Sequence, residues 1–401
     1  MALKTIEQAD FKDKRVLARF DFNVPLTKET DDSGARVITD STRIDLALPS
    51  IKYILESGAR KIILCSHLGR PKGKINKKFS LEPVARYLAV ALGMEVILTE
   101  TAIDDNVDTL LGLPDTKIVL LENLRFHEDE EKNGADFAAK LASYADIYVN
   151  DAFGAAHRKH ASTYGINTHF KNKAYAGFLF AKEVSEISKL MGRPEKPFMA
   201  IIGGAKVSDK IKTIEKLMVC VDKIFIGGAM AYPFLKAKGF EVGKSLCGDE
   251  DVALAKRILS QDKGKKITLP VDHIVSTDFE GDPSTTAGTD IDENMMGLDI
   301  GPATMNQYRE QLLTAKTIFW NGPMGIFENE KYAKGTFTIA QTLSESTAFT
   351  VVGGGDSVSA LKKSGLSDKI SHVSTGGGAS LEYIESGDLP GLFALKFGVK
   401  S

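Results

Sequence analysis

The chain has 401 residues, of which 43% are hydrophobic and 26% charged, and its formal net charge is −2. This balance is typical of a globular protein of two or three domains and argues against a nucleic-acid or membrane-surface binder. Cys65, Cys220 and Cys247 have no metal-binding spacing, which favours a reducing compartment. No apolar run approaches the roughly 20 residues of a membrane span. The opening stretch MALKTIEQADFKDKR contains no apolar signal region.

Short β-branched runs alternate with amphipathic stretches along the chain. In the first half the predicted strands are RVLARFDF, KIILCSH, EVILT, KIVLLEN and IYVND. The helical stretches between them include RIDLALPSIKYILESG and SLEPVARYLAVALG, which stop at Gly58 and Gly93. In the second half the predicted strands are FMAIIGG, KIFIGG, KITLPV, TIFWNGP, FTVVGGGD and HVSTGGG. Because the strands are continuously apolar, we predict parallel sheets of an α/β fold with right-handed crossovers.

About eleven strands are too many for one open sheet, so we predict two domains. The stretch AGFLFAKEVSEISKLMG has no strand on either side and predicts a connecting helix at 176–192. The domains would then cover 1–175 and 193–385.

The first domain is rich in cations at strand ends. Nine of the twelve arginines lie in the first 158 residues. The polar residues that follow predicted strands or open a helix are Asp21, Asn23, Arg43, His67, Arg70, Arg125 and Arg158. Such cations would repel one another at a shared sheet edge unless an anion bound there, and arginine suits carboxylate and phosphate. We therefore predict a small polyanion as ligand. Each residue alone could be a solvated surface group, and Asp21 could be a turn residue or an arginine partner.

The second domain holds every Gly-Gly run, at 203–204, 227–228, 353–355 and 376–378. Glycines let the backbone approach an anion, and a helix N-terminus favours negative charge. Lys206 and Lys210 follow the first run, and their spacing of four predicts one face of a first helical turn. A plain strand-to-helix turn is the alternative.

The later glycine runs predict a site for a polyphosphate. Asp356 after VVGGG could bind Mg²⁺, or it could be a helix N-cap. HVSTGGGASLEYI adds another glycine nest. FIGGAM could flank a flat base, and Glu328 could hold ribose hydroxyls or be a surface residue. A dinucleotide fingerprint is absent after the first strand, so a dehydrogenase is disfavoured. A polyanion domain that faces a Mg-nucleotide domain indicates phosphoryl transfer.

The segment KGFEVGKSL, residues 238–246, contains Gly-Lys-Ser but is one residue short of a P-loop. The preceding MAYPFLKAKG predicts a helix that ends at Gly239, where a P-loop would need a strand. We therefore predict a loop after a helix cap, outside the phosphate site.

Eight motifs occur in one order along essentially the whole chain: DFNVP, SHLGRPKG, ENLRFH, NDAFGAAHR, GGAKVSDKI, WNGPMGIFE, GGGDS and STGGGAS. Together they resemble the phosphoglycerate kinase family. The resemblance implies reversible phosphoryl transfer from 1,3-bisphosphoglycerate to ADP, giving 3-phosphoglycerate and ATP, in glycolysis and gluconeogenesis. It also implies two Rossmann-like three-layer domains with parallel sheets, joined by a helix, with the substrate cleft between them. A hinge-closing cytoplasmic monomer that uses Mg²⁺ with ADP or ATP is expected, with segment 386–401 returning to the first domain.

The resemblance also implies the site residues. Phosphoglycerate would be bound by Asp21, Phe22, Asn23, Arg43, His67, Leu68, Gly69, Arg70, Arg125 and Arg158. The nucleotide would be bound by Lys206, Lys210, Gly228, Gly297, Glu328, Gly354, Gly355, Asp356 and Ser357, with Asp356 on the metal.

The catalytic roles follow from the chemistry of a carboxylate acceptor. A carboxylate is already deprotonated at pH 7, so no general base is needed and catalysis must be positioning and charge stabilisation. We assign that work to Arg43, Lys206, Mg²⁺ and the backbone N–H groups near Gly376, Gly377 and Gly378.

The chain departs from the usual family pattern at three places. The loop LTKETDDSGARVITD is longer than usual, Ala155 stands where Thr is expected, and Phe20 stands where Val is common. None of these removes a charged group. A kinase for another phosphorylated carboxylic acid would need the same arginines. A non-enzymatic nucleotide-binding scaffold is disfavoured by the presence of Arg43, Lys206 and Asp356.

Overall fold

The computed structural model describes residues 2–30 and 36–399. The chain forms two compact units: unit 1 is Met1–Ser185 with Asp388–Ser401, and unit 2 is Glu186–Gly387. Each unit is built on a six-stranded sheet whose strand pairs are all parallel. The predicted α/β class with parallel sheets is confirmed. None of the helices in the described ranges is long and apolar enough to cross a bilayer.

The strands in chain order are β1 (Arg15–Arg19), β2 (Leu26–Thr30), β3 (Arg36–Ile38), β4 (Lys61–Cys65), β5 (Val96–Leu98), β6 (Ile118–Leu120), β7 (Ile147–Asn150), β8 (Ala174–Ala176), β9 (Phe198–Ile202), β10 (Lys223–Ile226), β11 (Ile267–Thr268), β12 (His273–Ser276), β13 (Ser284–Thr285), β14 (Met296–Ile300), β15 (Thr317–Asn321), β16 (Phe349–Gly353) and β17 (His372–Val373).

The α-helices are α1 (Thr42–Glu56), α2 (Glu82–Leu92), α3 (Asp105–Gly112), α4 (Glu128–Glu131), α5 (Ala135–Ser143), α6 (Phe178–Met191), α7 (Ile211–Cys220), α8 (Ala231–Ala237), α9 (Asp249–Ser260), α10 (Pro302–Leu312), α11 (Lys334–Glu345), α12 (Gly355–Lys363), α13 (Gly378–Ser386) and α14 (Pro390–Phe397). Short 3-10 helices cover Ile6–Gln8, Lys77–Phe79, Leu124–Phe126, Phe153–Ala155, Gly165–Thr168, Asp262–Lys266, Glu330–Tyr332 and Ser367–Lys369.

The sheet of unit 1 has the order β5-β6-β4-β1-β7-β8. Leu17 of β1 pairs with Ile63 of β4 and with Tyr148 of β7, and all three side chains are fully buried. The continuous apolar runs in the sequence reflect this burial, because helices cover a parallel sheet on both faces. Ile51 of α1 and Leu88 of α2 belong to the core that packs on one face of β1 and β4.

The sheet of unit 2 has the order β11-β10-β9-β15-β16-β17. From β9 the chain runs through β10 and β11 on one side, and it continues through β15, β16 and β17 on the other. The strand order therefore reverses between β9 and β15. In open α/β sheets, ligands bind beyond the carboxyl ends of the strands at such a reversal.

All eleven predicted sheet strands are present, each shorter than the run that predicted it. The sequence did not predict β8, the β2–β3 hairpin or the small antiparallel sheet β13-β12-β14, whose short strands are largely exposed or isolated from the main sheets. The hairpin lies in the stretch read as a long polar loop. Part of that loop, residues 31–35, lies outside the described residues.

One local prediction in unit 2 is wrong. The helix expected directly after the glycines of IIGG begins only at Ile211, and a turn covers the residues between. Lys206 and Lys210 therefore do not share a helical face. Val207 between them is fully buried, and this apolar anchor holds the turn against the unit.

Two segments connect the units. Helix α6 lies within the stretch 176–192 and contains the boundary between Ser185 and Glu186. After Gly387 the chain enters unit 1 again, where the backbone N–H of Gly391 in α14 donates to the carbonyl of Ala156 at 2.8 Å.

Candidate active site

In unit 1 the predicted phosphoglycerate residues gather where the strands β1, β4, β6 and β7 end. Arg43 lies in the first turn of α1, and its Nη1 donates to Asp21 Oδ2 at 2.9 Å. The backbone N–H of Asn23 donates to Asp21 Oδ1 at 3.2 Å. Asp21 is therefore both a turn residue and an arginine partner. The side chain of Asn23 accepts a bond from the Gly69 N–H at 2.9 Å, which joins the loops after β1 and β4.

The other three arginines of this edge differ in their partners. Arg125 is 6% exposed, lies 3.4 Å from Glu131 and donates to the carbonyl of Gly69 at 2.8 Å. Arg158 Nε donates to His157 Nε2 at 3.1 Å and, among the described residues, has no carboxylate within 4.0 Å. Arg70 is exposed and makes neither a hydrogen bond nor an ion pair with any described residue. The edge therefore carries uncompensated positive charge.

Phe22 and Leu68 are buried, and they contribute to this edge through the backbone. The Phe22 ring stacks on Phe20 at 5.4 Å, and its N–H donates to Ser66 Oγ at 2.8 Å. The carbonyl of Leu68 accepts a bond from Asn123 Nδ2 at 2.7 Å. Phe20, the departure from the usual pattern, is thus a core residue.

Sequence reasoning missed three members of the cationic cluster: Arg19, His157 and His160. Arg19 is fully buried at the end of β1; its Nη2 lies 3.0 Å from His67 Nδ1, and its Nε donates to Ser162 Oγ at 3.0 Å. An arginine inside the apolar run RVLARF was the available signal, since a buried guanidinium requires partners. For the histidines the signal was the dense cationic stretch HRKH.

The histidines of this cluster are neutral. Burial lowers the pKa of His67 well below its usual value, and Arg19 and Arg125 lower it further. Burial is also the main reason that the pKa of His160 is lowered to about 3, and the charges of Arg125 and Arg19 contribute to the decrease. The charge of the site therefore resides on its arginines, and a bound anion would relieve their mutual repulsion.

In unit 2, side-chain hydrogen bonds connect the turns after β9, β15 and β16. Lys210 Nζ donates to the carbonyl of Gly203 at 2.7 Å and to Asn321 Oδ1 at 2.5 Å. Asn321 Nδ2 donates to the carbonyl of Gly353 at 2.8 Å. Ser357 Oγ accepts a bond from the Gly322 N–H at 2.5 Å. Burial lowers the pKa of Lys210 to about 8, against the opposing effect of Asp356.

Two glycines of these turns are required by geometry. Gly228 has φ +66°, and a methyl group there would lie 2.7 Å from both the backbone N and O of Gly204. Gly354 has φ +93°, and a methyl group would lie 2.5 Å from Asn321 Nδ2. At both positions a side chain would strain the backbone and separate neighbouring turns.

Three predicted side chains extend into solvent beside these turns. Lys206, Glu328 and Asp356 are exposed, and within the described ranges none of them makes a hydrogen bond or ion pair. Gly354 is the N-cap of α12 and Asp356 lies inside the first turn, so the reading of Asp356 as the N-cap is wrong. Gly376, Gly377 and Gly378 lead into α13, and the Gly376 N–H donates to Ser374 Oγ at 3.2 Å.

Comparison with known proteins gives one answer. A family model described as phosphoglycerate kinase matches residues 6–387. The phosphoglycerate kinase of Anaeromyxobacter sp. (strain Fw109-5) is 52% identical over 403 residues, which cover 99% of this chain and 100% of the relative. That of Chlorobium phaeobacteroides (strain DSM 266 / SMG 266 / 2430) is 49% identical and covers 98% and 100%.

The chain belongs to the phosphoglycerate kinase family.

Solved structures agree. The phosphoglycerate kinase of Coxiella burnetii superposes with a TM-score of 0.87 at 38% identity and covers all of both chains. That of Pyrococcus horikoshii OT3 gives 0.84 at 32% identity, with 99% of each chain covered. The predictions of a phosphoglycerate kinase and of a phosphotransferase enzyme are therefore confirmed.

In this chain the segment 238–246 has a structural role. Helix α8 ends at Ala237, and Gly239 has φ +93°, as expected for a helix stop. The N–H of Lys244 donates to the carbonyl of Met295 at 2.8 Å, and Ser245 Oγ accepts a bond from the Gly297 N–H at 2.9 Å. The prediction of a loop after a helix cap is confirmed, and this loop supports the strand that carries Gly297.

Proposed function

We propose that phosphoglycerate binds at the arginine edge of unit 1 (Arg43, Arg70, Arg125 and Arg158 with His67) and that ADP or ATP binds at the glycine turns of unit 2 (those after β9, β10, β15, β16 and β17). One observation carries this proposal. At the first edge, Arg70 and Arg158 have no carboxylate partner among the described residues, and the second site has exposed charged side chains beside bare backbone. A small polyanion and a metal-bound polyphosphate need these two different surfaces.

The arginine edge suits a molecule with a phosphate at one end and a carboxylate at the other. Arg70 and Arg158 have donors that no described carboxylate uses, so both can form charge-assisted bonds to a ligand. Arg125 is held by Glu131 and Gly69, and it would present its guanidinium in a fixed orientation. Asp21, Asn23 and the backbone of Phe22, Leu68 and Gly69 would complete the pocket.

The glycine turns suit a nucleotide. We propose that the flat base lies against the backbone at Gly228 and Gly297 and that exposed Glu328 holds the ribose hydroxyls. Gly354, Gly355 and Ser357 at the start of α12 offer a helix N-terminus to phosphate oxygens. Lys210 is occupied by backbone carbonyls, so we propose that it supports the turns and adds positive potential from below.

Magnesium would be held by Asp356 together with phosphate oxygens. The described residues contain no group of three or more His, Cys, Asp or Glu side chains that could bind a metal. Asp356 is exposed beside the Gly353–Gly355 turn and offers the oxygen ligand that Mg²⁺ prefers. When bound there, Mg²⁺ would neutralise part of the charge of the nucleotide phosphates.

The chemistry needs charge stabilisation and positioning. In the direction of ATP formation, an oxygen of the ADP β-phosphate attacks the acyl phosphate, the new P–O bond forms, and 3-phosphoglycerate leaves as a carboxylate. We assign Lys206, Arg43 and the N–H groups of Gly376–Gly378 to the oxygens of the transferring phosphoryl group. Lys206 and Arg43 belong to different units, so transfer requires hinge closure, which also excludes water and limits ATP hydrolysis.

The proposal extends to the state of the enzyme in the cell. A single chain carries both sets of residues, so a monomer suffices for activity. We propose a cytoplasmic monomer, in agreement with the role of the family in glycolysis.

The decisive measurement is ATP formation from ADP and 1,3-bisphosphoglycerate by the full chain with Mg²⁺. We expect turnover that requires both substrates, and a decrease in the radius of gyration by small-angle scattering when both substrate sites are filled. No ATP above the enzyme-free background would overturn the proposed function. ATP formation without a change in the radius of gyration would contradict the proposed hinge closure.

A further inference from the structure

A buried carboxyl group lies beneath the proposed nucleotide site. Asp299 in β14 is 1% exposed. Its Oδ2 accepts a bond from the Gly335 N–H at 2.6 Å, and its Oδ1 accepts one from the Ile300 N–H at 2.9 Å. No lysine, arginine or histidine of the described residues forms an ion pair with it. Such a group is costly to bury, and the chemistry of the site described above does not use it.

Two further segments pack directly on this carboxyl. A methyl group at Gly325 would lie 2.6 Å from Asp299 Cγ, and one at Gly335 would lie 2.8 Å from it. The Ile326 N–H donates to the carbonyl of Leu298 at 3.0 Å. The loop after β15, the first turn of α11 and strand β14 therefore meet at Asp299.

The same three elements carry or contact residues of the proposed nucleotide site. Gly297 lies two residues before Asp299, and Glu328 lies three residues after Gly325. The Gly228 N–H donates to the carbonyl of Met324 at 2.9 Å. A displacement of the loop from Asp299 would therefore move Glu328 and Gly228 relative to Gly297.

We propose that Asp299 is a positioning residue for the nucleotide: its carboxyl group fixes the Gly325–Glu328 segment and the start of α11 against β14. This inference rests on the proposed nucleotide site. Asp299 is too deeply buried to touch the ligand, so it acts through the residues that it holds in place.

The ionisation of Asp299 gives the proposal a distinctive signature. Burial raises the pKa of Asp299 to about 8, although the N–H groups of Gly335 and Ile300 oppose the rise. Tyr232 of α8 is the titratable group that faces it in the described structure; burial and then Asp299 raise the pKa of that phenol, so it stays neutral. Above pH 8 a charge without a cation partner forms under the loop. An ionised carboxylate is more stable in water than buried without a partner. We therefore expect the loop to move so that water reaches Asp299, and we expect ADP to bind more weakly.

The test compares full-length wild type, Asp299→Asn and Asp299→Ala by calorimetric titration with ADP at pH 7 and pH 9. Asn matches the protonated acid in charge and keeps one oxygen acceptor for the Gly335 N–H, so we expect ADP affinity at pH 7 to stay closer to wild type than in Asp299→Ala and to fall less at pH 9 than in wild type. Ala removes the acceptor of the Gly335 N–H, and we expect ADP affinity to fall about tenfold, the scale of one lost buried hydrogen bond. Phosphoglycerate affinity should stay within about twofold.

Asp272→Asn is the matched control. Asp272 is 6% exposed in the same unit and accepts bonds from the N–H groups of Ala303 at 2.8 Å and Thr304 at 2.7 Å, at the start of α10. We expect this variant to lose stability but to keep the wild-type dependence of ADP affinity on pH.

The outcomes separate the inference from the function on which it rests. If wild type does not bind ADP, the proposed nucleotide site is wrong. If wild type binds ADP and Asp299→Asn shows the same loss from pH 7 to pH 9, the positioning role is overturned. Unchanged ADP affinity in a folded Asp299→Ala variant would overturn it as well. If Asp299→Ala does not fold, the pH profile of Asp299→Asn decides.

Discussion

The two units present different surfaces to the anions that we propose they bind. At the arginine edge, long side chains would do the binding, and neighbouring carboxylates such as Asp21 and Glu131 hold two of them in place. At the glycine turns, the ligand would lie mainly against bare backbone, and groups such as Lys210 and Asn321 hold that backbone from behind. Both surfaces lie at the carboxyl ends of parallel strands. Under the proposed function, the same architecture would support recognition by charge in one unit and recognition by shape in the other.

This difference predicts how each site fails. Removing a cation from the arginine edge removes an attraction but leaves the backbone where it is. Adding a methyl group at a glycine turn changes no charge but displaces a neighbouring turn. The variants below test this contrast in order of decreasing expected effect.

The largest effect is expected for Lys206→Ala. Lys206 is exposed and has no hydrogen bond or ion pair within the described residues, so its loss should spare the fold. We expect kcat to fall by on the order of 10²–10³, the scale of removing one preorganised donor. The measurement is steady-state kinetics, and Lys212→Ala, which replaces an exposed lysine of α7, is the control. An unchanged kcat would remove Lys206 from the catalytic set.

Arg70→Ala tests recognition by charge. We expect the dissociation constant of 3-phosphoglycerate to rise roughly 10- to 100-fold, since a charge-assisted bond is lost, while that of ADP stays nearly constant. Lys74→Ala removes an exposed cation from the same loop and should have a small effect on both. Equal losses of affinity for both ligands in Arg70→Ala would show that the arginine edge is not a separate site.

Gly228→Ala tests recognition by shape. The added methyl group would press on the Gly204 backbone, so we expect about tenfold weaker ADP binding with no change in net charge. Gly239→Ala is the control: its φ is +93°, but nothing lies within 4 Å of the added carbon. That variant should lose about 1 kcal/mol of unfolding free energy and keep its ADP affinity. Equal ADP binding by the two variants would contradict a role for the close approach.

The smallest effect concerns acid stability. The pKa of His160 is about 3 in the folded protein, below the usual 6.5, so the unfolded chain binds the extra proton between these values. The free energy of unfolding should therefore fall as pH decreases from 6.5 towards 3. His160→Gln should reduce that fall by about 1 kcal/mol in denaturant titrations, while the exposed His169→Gln should not. Parallel curves for wild type and His160→Gln would contradict the burial argument.

The sequence supports prediction of the main sheets because their strands are apolar throughout. It is silent on Ser284–Thr285, a two-residue exposed strand that leaves no apolar pattern. The motifs locate the exposed, chemically distinctive residues such as Arg70 and Lys206. They do not reveal the supporting layer of Arg19, Asn321 and Asp299, because each supports the site through contacts with residues distant in sequence. The prediction that Lys206 and Lys210 share a helical face was wrong for a related reason, since buried Val207 holds a turn where a helix was expected.

The return of the chain into unit 1 has a consequence for biosynthesis. Unit 2 is one continuous stretch, Glu186–Gly387, and all of it is translated before α14. Unit 1 is translated first but lacks the Gly391 contact to Ala156 until α14 has emerged from the ribosome. Because Ala156 immediately precedes His157 and Arg158, we expect the arginine edge to reach its final arrangement only after unit 2 has been translated.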